Sequence, residues 1–408
     1  MVDQRRIDDQ RWLDAKAAAR HLGIQLKSLY AYVSRGQIRS VPAEQGRPRL
    51  YALADLERLR VRRDARAGHG AVAAGALRWG EPVLDSAITA ITPRGPAYRG
   101  RLAVDLAGVV AFENVAELLW SGYLPTGTLA WPRVALPFAA LAKLVAPDAR
   151  PLEAMALVVP IAAQGSDRDG RVDVMIGHGR RLIPLLAAAL APGFTAAAVT
   201  RALGAGSVAA IAARALGLDD DDAPLLDLVL TLLADHELNA SSFTARIAAS
   251  TDADPYACIT AALATLSGPK HGSAVEEVAR FAGEVGDPGN ARAAVRALAK
   301  KGLVPPGFGH PLYPAGDPRT PPLLDAATRK SPRRTRTLAA LVEATDAHPT
   351  VDIGLAAVVA ALGIPPAAGS GLFAVARAAG WLAHVLEQRA AGFLLRPRAR
   401  YTGVPVTP

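Results

Sequence analysis

A handful of imidazoles, one carboxylate and several arginines stand in this chain where a plain helical core would have no use for them. The run from Gly307 to Arg319 reads Gly-Phe-Gly-His-Pro-Leu-Tyr-Pro-Ala-Gly-Asp-Pro-Arg. Its glycines and prolines forbid a continuous helix and predict a shaped loop that presents His310 and Arg319. A guanidinium fork pairs with a carboxylate while an imidazole donates to a neighbouring oxygen, so the pair suits a small anion. In Leu266-Ser267-Gly268-Pro269-Lys270-His271-Gly272-Ser273-Ala274, His271 precedes a helix expected from about Ser273, near the positive end of its dipole. That setting favours a neutral imidazole, which can donate to an oxygen developing negative charge. The stretch Asp235 to Arg246, which includes His236, crowds hydrogen-bonding side chains between apolar runs. Burying them unpaired is costly, so they are expected to line a cleft. Asp352 stands alone before a long apolar helix and reads either as its N-cap or as a general base of raised pKa. Arg377 lies inside an apolar helix and needs an anionic partner, which a ligand carboxylate would supply.

The elements that must position these groups are helices. From Glu81 onward the chain is rich in Ala and Leu with glycine stops and spaced prolines, and only short extended pieces are expected near Tyr98 to Leu102. The body is read as all-α. With 408 residues, 51% of them hydrophobic, the chain can bury a large core in more than one domain. The uncharged stretches 182–200 and 353–376 are interrupted by Pro184, Pro192, Pro365 and Pro366, which argues for core helices over membrane spans. The first residues lack a secretory apolar core, and the single cysteine, Cys258, can form no internal disulfide; both predict a cytoplasmic protein. No Cys/His group has metal-ligand spacing, so no metal is expected.

Charge separates the N-terminal segment from the body. Residues 1–69 hold 15 Lys/Arg against 8 Asp/Glu, and residues 70–408 hold 31 against 29. A compact basic module suits a polyanion. Asp14 can cap a helix from Ala15 to Leu22 that stops at Gly23, and a second helix is expected from about Gln25 to Ser34. Leu22, Ile24, Leu29 and Val33 would share a core. Two extended pieces between Ile38 and Tyr51, around Glu44-Gln45-Gly46, form a wing, and a helix follows from Asp55 to about Arg63. Residues 10–66 resemble the winged helix-turn-helix domains of the excisionase and MerR-like type. The resemblance implies base contacts from Gln25, Lys27, Ser28 and Tyr30 and phosphate contacts from Arg35, Arg47 and Arg49. A helical adaptor that packs on a partner without binding DNA is the other reading of the same shape. Residues 67–80 read as a linker.

In order along the chain, the motifs at Asp235, Gly268, Gly307 and Arg377, with Tyr98-Arg99-Gly100 and Phe112 to Trp120 before them, resemble the citrate synthase family. The resemblance runs from about Glu81 to Gly403 and is loose over 126–230. It implies a catalytic domain over 81–408 with a small helical domain at about 272–370, and a homodimer. It implies that oxaloacetate binds first and that acetyl-CoA then condenses with it to citryl-CoA, which is hydrolysed to citrate and CoA. By motif, Asp352 would remove the methyl proton, His271 would stabilise the enol oxygen and His310 would polarise the ketone. His236, Arg319, Arg377 and Arg396 would hold the carboxylates, with Arg396 reaching across from the partner subunit. No cofactor is implied, since acetyl-CoA or propionyl-CoA is a substrate. Glycines flanking His271 and His310 suit hinges of domain closure.

The chain departs from the family pattern at Leu233, at Ser273 and Val275 after the catalytic His, at Pro314, and at Ile353-Gly354 after Asp352. These departures bear on acyl-CoA affinity and acyl preference, and leave propionyl-CoA, giving 2-methylcitrate, as an alternative. A DNA-binding sensor of oxaloacetate, citrate or acyl-CoA is a second reading, and citryl-CoA cleavage uses the same site in reverse. The intact Asp352 favours an enzyme, since sensing has no need of a base.

Overall fold

The computed structural model describes residues 12–34, 37–41, 49–53, 55–56, 59, 84–133, 135–167, 169–397 and 403–404. The chain divides into two compact units, one of Met1–Asp85 with Arg398–Pro408 and one of Ser86–Pro397. In the first, strand β1 (Trp12–Asp14) leads into helices α1 (Ala15–Leu22) and α2 (Leu26–Ser34), followed by β2 (Ser40–Val41) and β3 (Leu50–Ala52). Asp14 caps α1, its carboxylate accepting from the Ala17 amide at 2.7 Å, and Gly23 ends the helix in the left-handed region at φ 59°. The three strands form an antiparallel sheet in the order β1-β3-β2. Ala18, Leu22, Leu29, Ile38, Tyr51 and Leu56 close a small core, with Ile24 and Val33 packed against it. The sequence reading found both helices and the two later strands but missed β1, because three residues ending in a helix cap carry no alternation of their own. Arg35, Arg47, the Glu44-Gln45-Gly46 turn and the 67–80 linker lie outside the described residues.

The second unit opens with an antiparallel sheet of β4 (Thr89–Thr92), β5 (Gly95–Tyr98) and β6 (Arg101–Leu102). Beyond it the backbone is helical, with α3 (Phe112–Ser121), α4 (Pro151–Ala162), α5 (Val172–Ala188), α6 (Ala196–Leu203), α7 (Val208–Ala215), α8 (Ala223–Leu233), α9 (Ala240–Ala249) and α10 (Pro255–Leu266). Then come α11 (Ala274–Val285), α12 (Ala291–Ala299), α13 (Thr320–Lys330), α14 (Pro332–Ala344), α15 (Val351–Leu362) and α16 (Pro366–Ala391). The body is therefore mostly helical, with a small sheet at its entry. Pro184 does not interrupt its apolar stretch, since α5 runs through it to Ala188; the break comes at Pro192–Phe194. No helix among the described residues is long and apolar enough to cross a membrane.

Helix α16 is the spine. At 26 residues it is about 39 Å long, it is buried along most of its length, and α3, α4, α5, α8, α9, α10, α11 and α15 all pack on it. Small residues let neighbours approach its backbone. At Gly380 the approach is closest, because the amide there donates to the Ala234 carbonyl at 3.0 Å and an added Cβ would stand 2.2 Å from Asp235 Oδ1. The spine is thereby locked to the segment that carries His236. Gly380→Ala is expected to destabilise the fold by about 1–3 kcal/mol through overpacking, read as a lower urea midpoint with an unchanged m-value.

Candidate active site

Each candidate group arrives on a segment that local chemistry forces out of helix. After α8 the chain turns through Asp235-His236-Glu237, with Glu237 at φ 55° and its amide held by Asp235 Oδ2 at 3.1 Å. The turn rests on Tyr98 of β5, whose hydroxyl donates to the Thr231 and Leu232 carbonyl region at 3.1 Å. Asp235 is fully buried and reaches His384 of α16 at 3.3 Å. Burial opposes its charge, but His384 and Arg377 hold its carboxyl below the usual range. Part of this stretch is core and not a cleft lining. Ser241, Ser242 and Arg246 are buried inside the core, and Arg246 spends its guanidinium on Gln388 Oε1 at 3.0 Å and Glu387 Oε2 at 2.6 Å. Sequence pattern alone could not separate a cleft from an internal network that satisfies itself.

The loop 307–319 is stitched to the strand-like segment before α15. Gly309 N donates to His348 O at 2.9 Å, Thr350 N donates to Gly307 O at 2.8 Å, and Phe308 bridges Pro349. Gly307 sits at φ +85°, where a Cβ would strike Val278 and Ile353, so the loop can lie against α15 only with glycine there. This stitching brings His310 to Asp352. Asp352 is not the N-cap: Thr350 caps α15, and Asp352 lies in the first turn, where the Thr350 hydroxyl donates to its Oδ2 at 2.9 Å. Burial pushes the Asp352 carboxyl above the ordinary carboxylate range, with Thr350 and Arg319 pulling the other way.

His236, His310 and Tyr313 form a ring cluster with centroids 5.3 to 5.6 Å apart, and the Arg319 guanidinium stands 5.6 Å over Tyr313. His236 Nε2 lies 2.9 Å from the Tyr313 hydroxyl. His310 Nδ1 accepts from the Leu312 amide at 3.1 Å, so the neutral ring carries its proton on Nε2. Arg319 is held bidentately by Asp317, at 2.9 and 2.7 Å, and its Nη1 is buried without a partner. Burial would lower the Arg319 pKa, but the Asp317 carboxylate raises it. Arg377 is 1% exposed, lies 4.6 Å over the Phe373 ring, and has Nε and Nη1 unpartnered. Burial brings it down to about 10.

His271 joins the same spine. Its Nε2 lies 2.9 Å from Ser241 Oγ, which accepts from the Trp381 indole at 3.0 Å and sits 2.8 Å from Asn239 Oδ1. Trp381 is one helical turn beyond Arg377, so both face the same side of α16. Burial, with the Arg377 charge behind it, drops His271 to about 4. His236 falls well below its ordinary value by burial and the charges of Arg319 and Arg377, and His310 is also lowered, first by burial. All three are neutral near pH 7. The neutral state foreseen for His271 therefore rests mainly on burial.

The site thus gathers His236, His271, His310, Arg319, Asp352 and Arg377. It does not gather Arg396, which is exposed on the extended stretch after α16 and makes no contact with these groups. In the first unit Gln25, Lys27, Ser28 and Tyr30 lie on or just before α2, with Tyr30 52% exposed, while Arg49 is spent on Ser40 at 3.0 Å. Sequence reasoning missed Tyr313, Asp317, Ser241 and Trp381. Only Asp317 had a visible signal, as a carboxylate two residues before a candidate arginine.

Comparison with known proteins follows this geometry. Residues 76–398 match the family model described as citrate synthase, C-terminal domain. The chain is 31% identical over 357 residues to a 2-methylcitrate synthase of Mycobacterium tuberculosis, covering 79% of this chain and 89% of the relative. It is 29% identical over 357 residues to a citrate synthase of Mycolicibacterium smegmatis, covering 80% and 94%. Its fold resembles the structure of citrate synthase from Thermoplasma acidophilum in ternary complex with carboxymethyl coenzyme A and oxaloacetate. That likeness has a TM-score of 0.70 at 23% identity and covers 81% of this chain and 96% of the other.

The lowered histidines link stability to pH. A histidine whose folded pKa is depressed leaves the unfolded chain binding more protons as pH falls from about 6.5. Stability is therefore full above that value and is lost on the way down towards 4, by at most about 1.4 kcal/mol per pH unit for each histidine. Urea midpoints measured from pH 7 to 5 are expected to fall, and His271→Asn to flatten the fall.

Proposed function

The chain belongs to the citrate synthase family, and on that premise we propose that it condenses acetyl-CoA with oxaloacetate and hydrolyses the citryl-CoA formed to citrate and CoA. The observation that carries this reading is the pairing of a base of raised pKa, Asp352, with neutral imidazoles beside two arginines that keep unpartnered buried N–H groups. A dianionic oxoacid needs fixed cations, and a weakly acidic methyl group needs base and enol stabiliser together. Arg319, Arg377 and His236 hold the oxaloacetate carboxylates. Asp352 takes a methyl proton from acetyl-CoA while His271 donates to the thioester oxygen, giving an enol. The enol carbon bonds to the ketone carbon, the enol proton returns to His271 as the thioester carbonyl re-forms, and His310 donates its Nε2 proton to the ketone oxygen and is restored by the proton that Asp352 holds. Water then cleaves the thioester and CoA leaves as the thiol. Closure of a small domain at about 272–370 would keep water out until condensation is complete.

For His271 to donate from Nδ1, its Nε2 must accept, so the single Ser241 hydroxyl proton goes to His271. Arg396 would join the site if a second copy of the chain supplied it, the arrangement proposed with a homodimer. Propionyl-CoA, giving 2-methylcitrate, is the alternative, supported by the likeness to the mycobacterial 2-methylcitrate synthase. The first unit is proposed as a winged helix-turn-helix that meets DNA through α2, on the strength of its basic charge, its capped helix pair and its three-stranded sheet. A cytoplasmic location fits the buried free Cys258.

Release of free CoA thiol from oxaloacetate with acetyl-CoA or propionyl-CoA tests the reading. Asp352→Ala and His271→Ala are each expected to lower kcat by at least about a hundredfold, and the ratio between donors names the product. Turnover with neither donor, alongside thermal stabilisation by oxaloacetate, would move the conclusion to a sensor.

A further inference from the structure

The near-neutral charge of the body is an average over two unlike parts. Residues 288–340 hold ten Lys/Arg and only two Asp/Glu, so the remainder of the body is acidic. The structure leaves five of these cations exposed on two helices that pack together. On α12, Arg292, Arg296 and Lys300 recur every four residues, about 6 Å apart along the axis, opposite the side where Ala294 and Val295 pack on the core. α14 lies against α12 and adds Arg333 and Arg336. All five are exposed, and among the described residues none meets a carboxylate. The ion pairs nearby engage other groups, Lys330 with Asp222 and Arg280 with Glu284. Arg334 is exposed as well but is engaged, donating to the Ala361 carbonyl at 3.2 Å.

Five uncompensated cations on adjacent helices repel one another and gain most from a partner that presents a regular row of negative charge. Duplex DNA presents one charge per about 1.7 Å of its axis. The cations are spread over two helices and along about two turns of one of them, and neither helix offers aromatic side chains to read bases. We propose that the α12–α14 face docks duplex DNA through its phosphates, independently of sequence. This surface lies far along the chain from the helix pair at residues 15–34 and does not depend on that unit binding DNA.

The test is binding of the full chain to a random-sequence duplex across a salt series, for the wild type, for Arg292→Gln/Arg296→Gln/Lys300→Gln, and for Lys27→Ala/Arg49→Ala. The triple variant is expected to bind several-fold more weakly, with the slope of log K against log salt shallower by about 2–3. Its thiol release and urea midpoint should match the wild type. No wild-type binding at about 50 mM salt would overturn the proposal. So would an unchanged slope in the triple variant, loss of all binding in the Lys27/Arg49 variant alone, or an effect confined to the KM for acyl-CoA.

Discussion

A guanidinium buried without a carboxylate of its own is the condition around which the body is arranged. Taking a cation out of water costs several kcal/mol unless something answers its charge. Arg377 has the Phe373 ring beneath it and the field of Asp235 nearby, yet Nε and Nη1 remain unpartnered. Arg319 is answered on one edge by Asp317 and open on the other. Burial is the first reason the three histidines beside them are neutral, and the charges of Arg319 and Arg377 add to it. The field that would welcome a dianion thus works in the same direction as desolvation on the imidazoles in reach.

Holding that field in place requires a rigid support, and α16 provides it. Within two turns it supplies Arg377, the Gly380 contact with Ala234, the Trp381 indole on Ser241 and His384 against Asp235. His236 and His271 are thereby referenced to one helix, although they come from segments more than 30 residues apart. His310 and Asp352 are referenced to each other instead, by the stitching of 307–309 to 348–350. The site has two supports, α16 with Arg377 and the loop 307–319 with α15, and Asp317 ties the second together by holding Arg319 while accepting from the Val351 amide at 3.3 Å.

What could be read from sequence follows from how local each cause is. Helix ends declared themselves through Asp14, Gly23 and the Ser273 boundary, and the loop at Gly307 through its glycines and prolines. The residue types of His271, His310, Asp352 and Arg377 announced chemistry because a charge or imidazole in apolar surroundings demands a reason. What stayed hidden depends on distant partners. Thr350 took the cap that Asp352 was a candidate for, and Arg246 turned inward onto Gln388 and Glu387, partners more than 140 residues away in the chain. Pro184 looked like a break, but the neighbours packed around α5 hold the helix through it.

The finest level of control lies in where protons sit. His310 has no choice of tautomer, because the Leu312 amide occupies Nδ1 and leaves Nε2 as the donor. His271 has a choice, and Ser241 makes it. With the Trp381 indole already donating to Ser241 Oγ, the hydroxyl proton can serve Asn239 or His271 but not both. Asn239 Oδ1 also accepts from the Ser242 amide at 2.9 Å, so it is satisfied without the serine. As the side chains stand the Ser241 hydroxyl donates to Asn239; turned to His271 it would make Nδ1 that ring's donor. One imidazole thus has its tautomer set by backbone, and the other takes its tautomer from a hydroxyl that also accepts from a tryptophan.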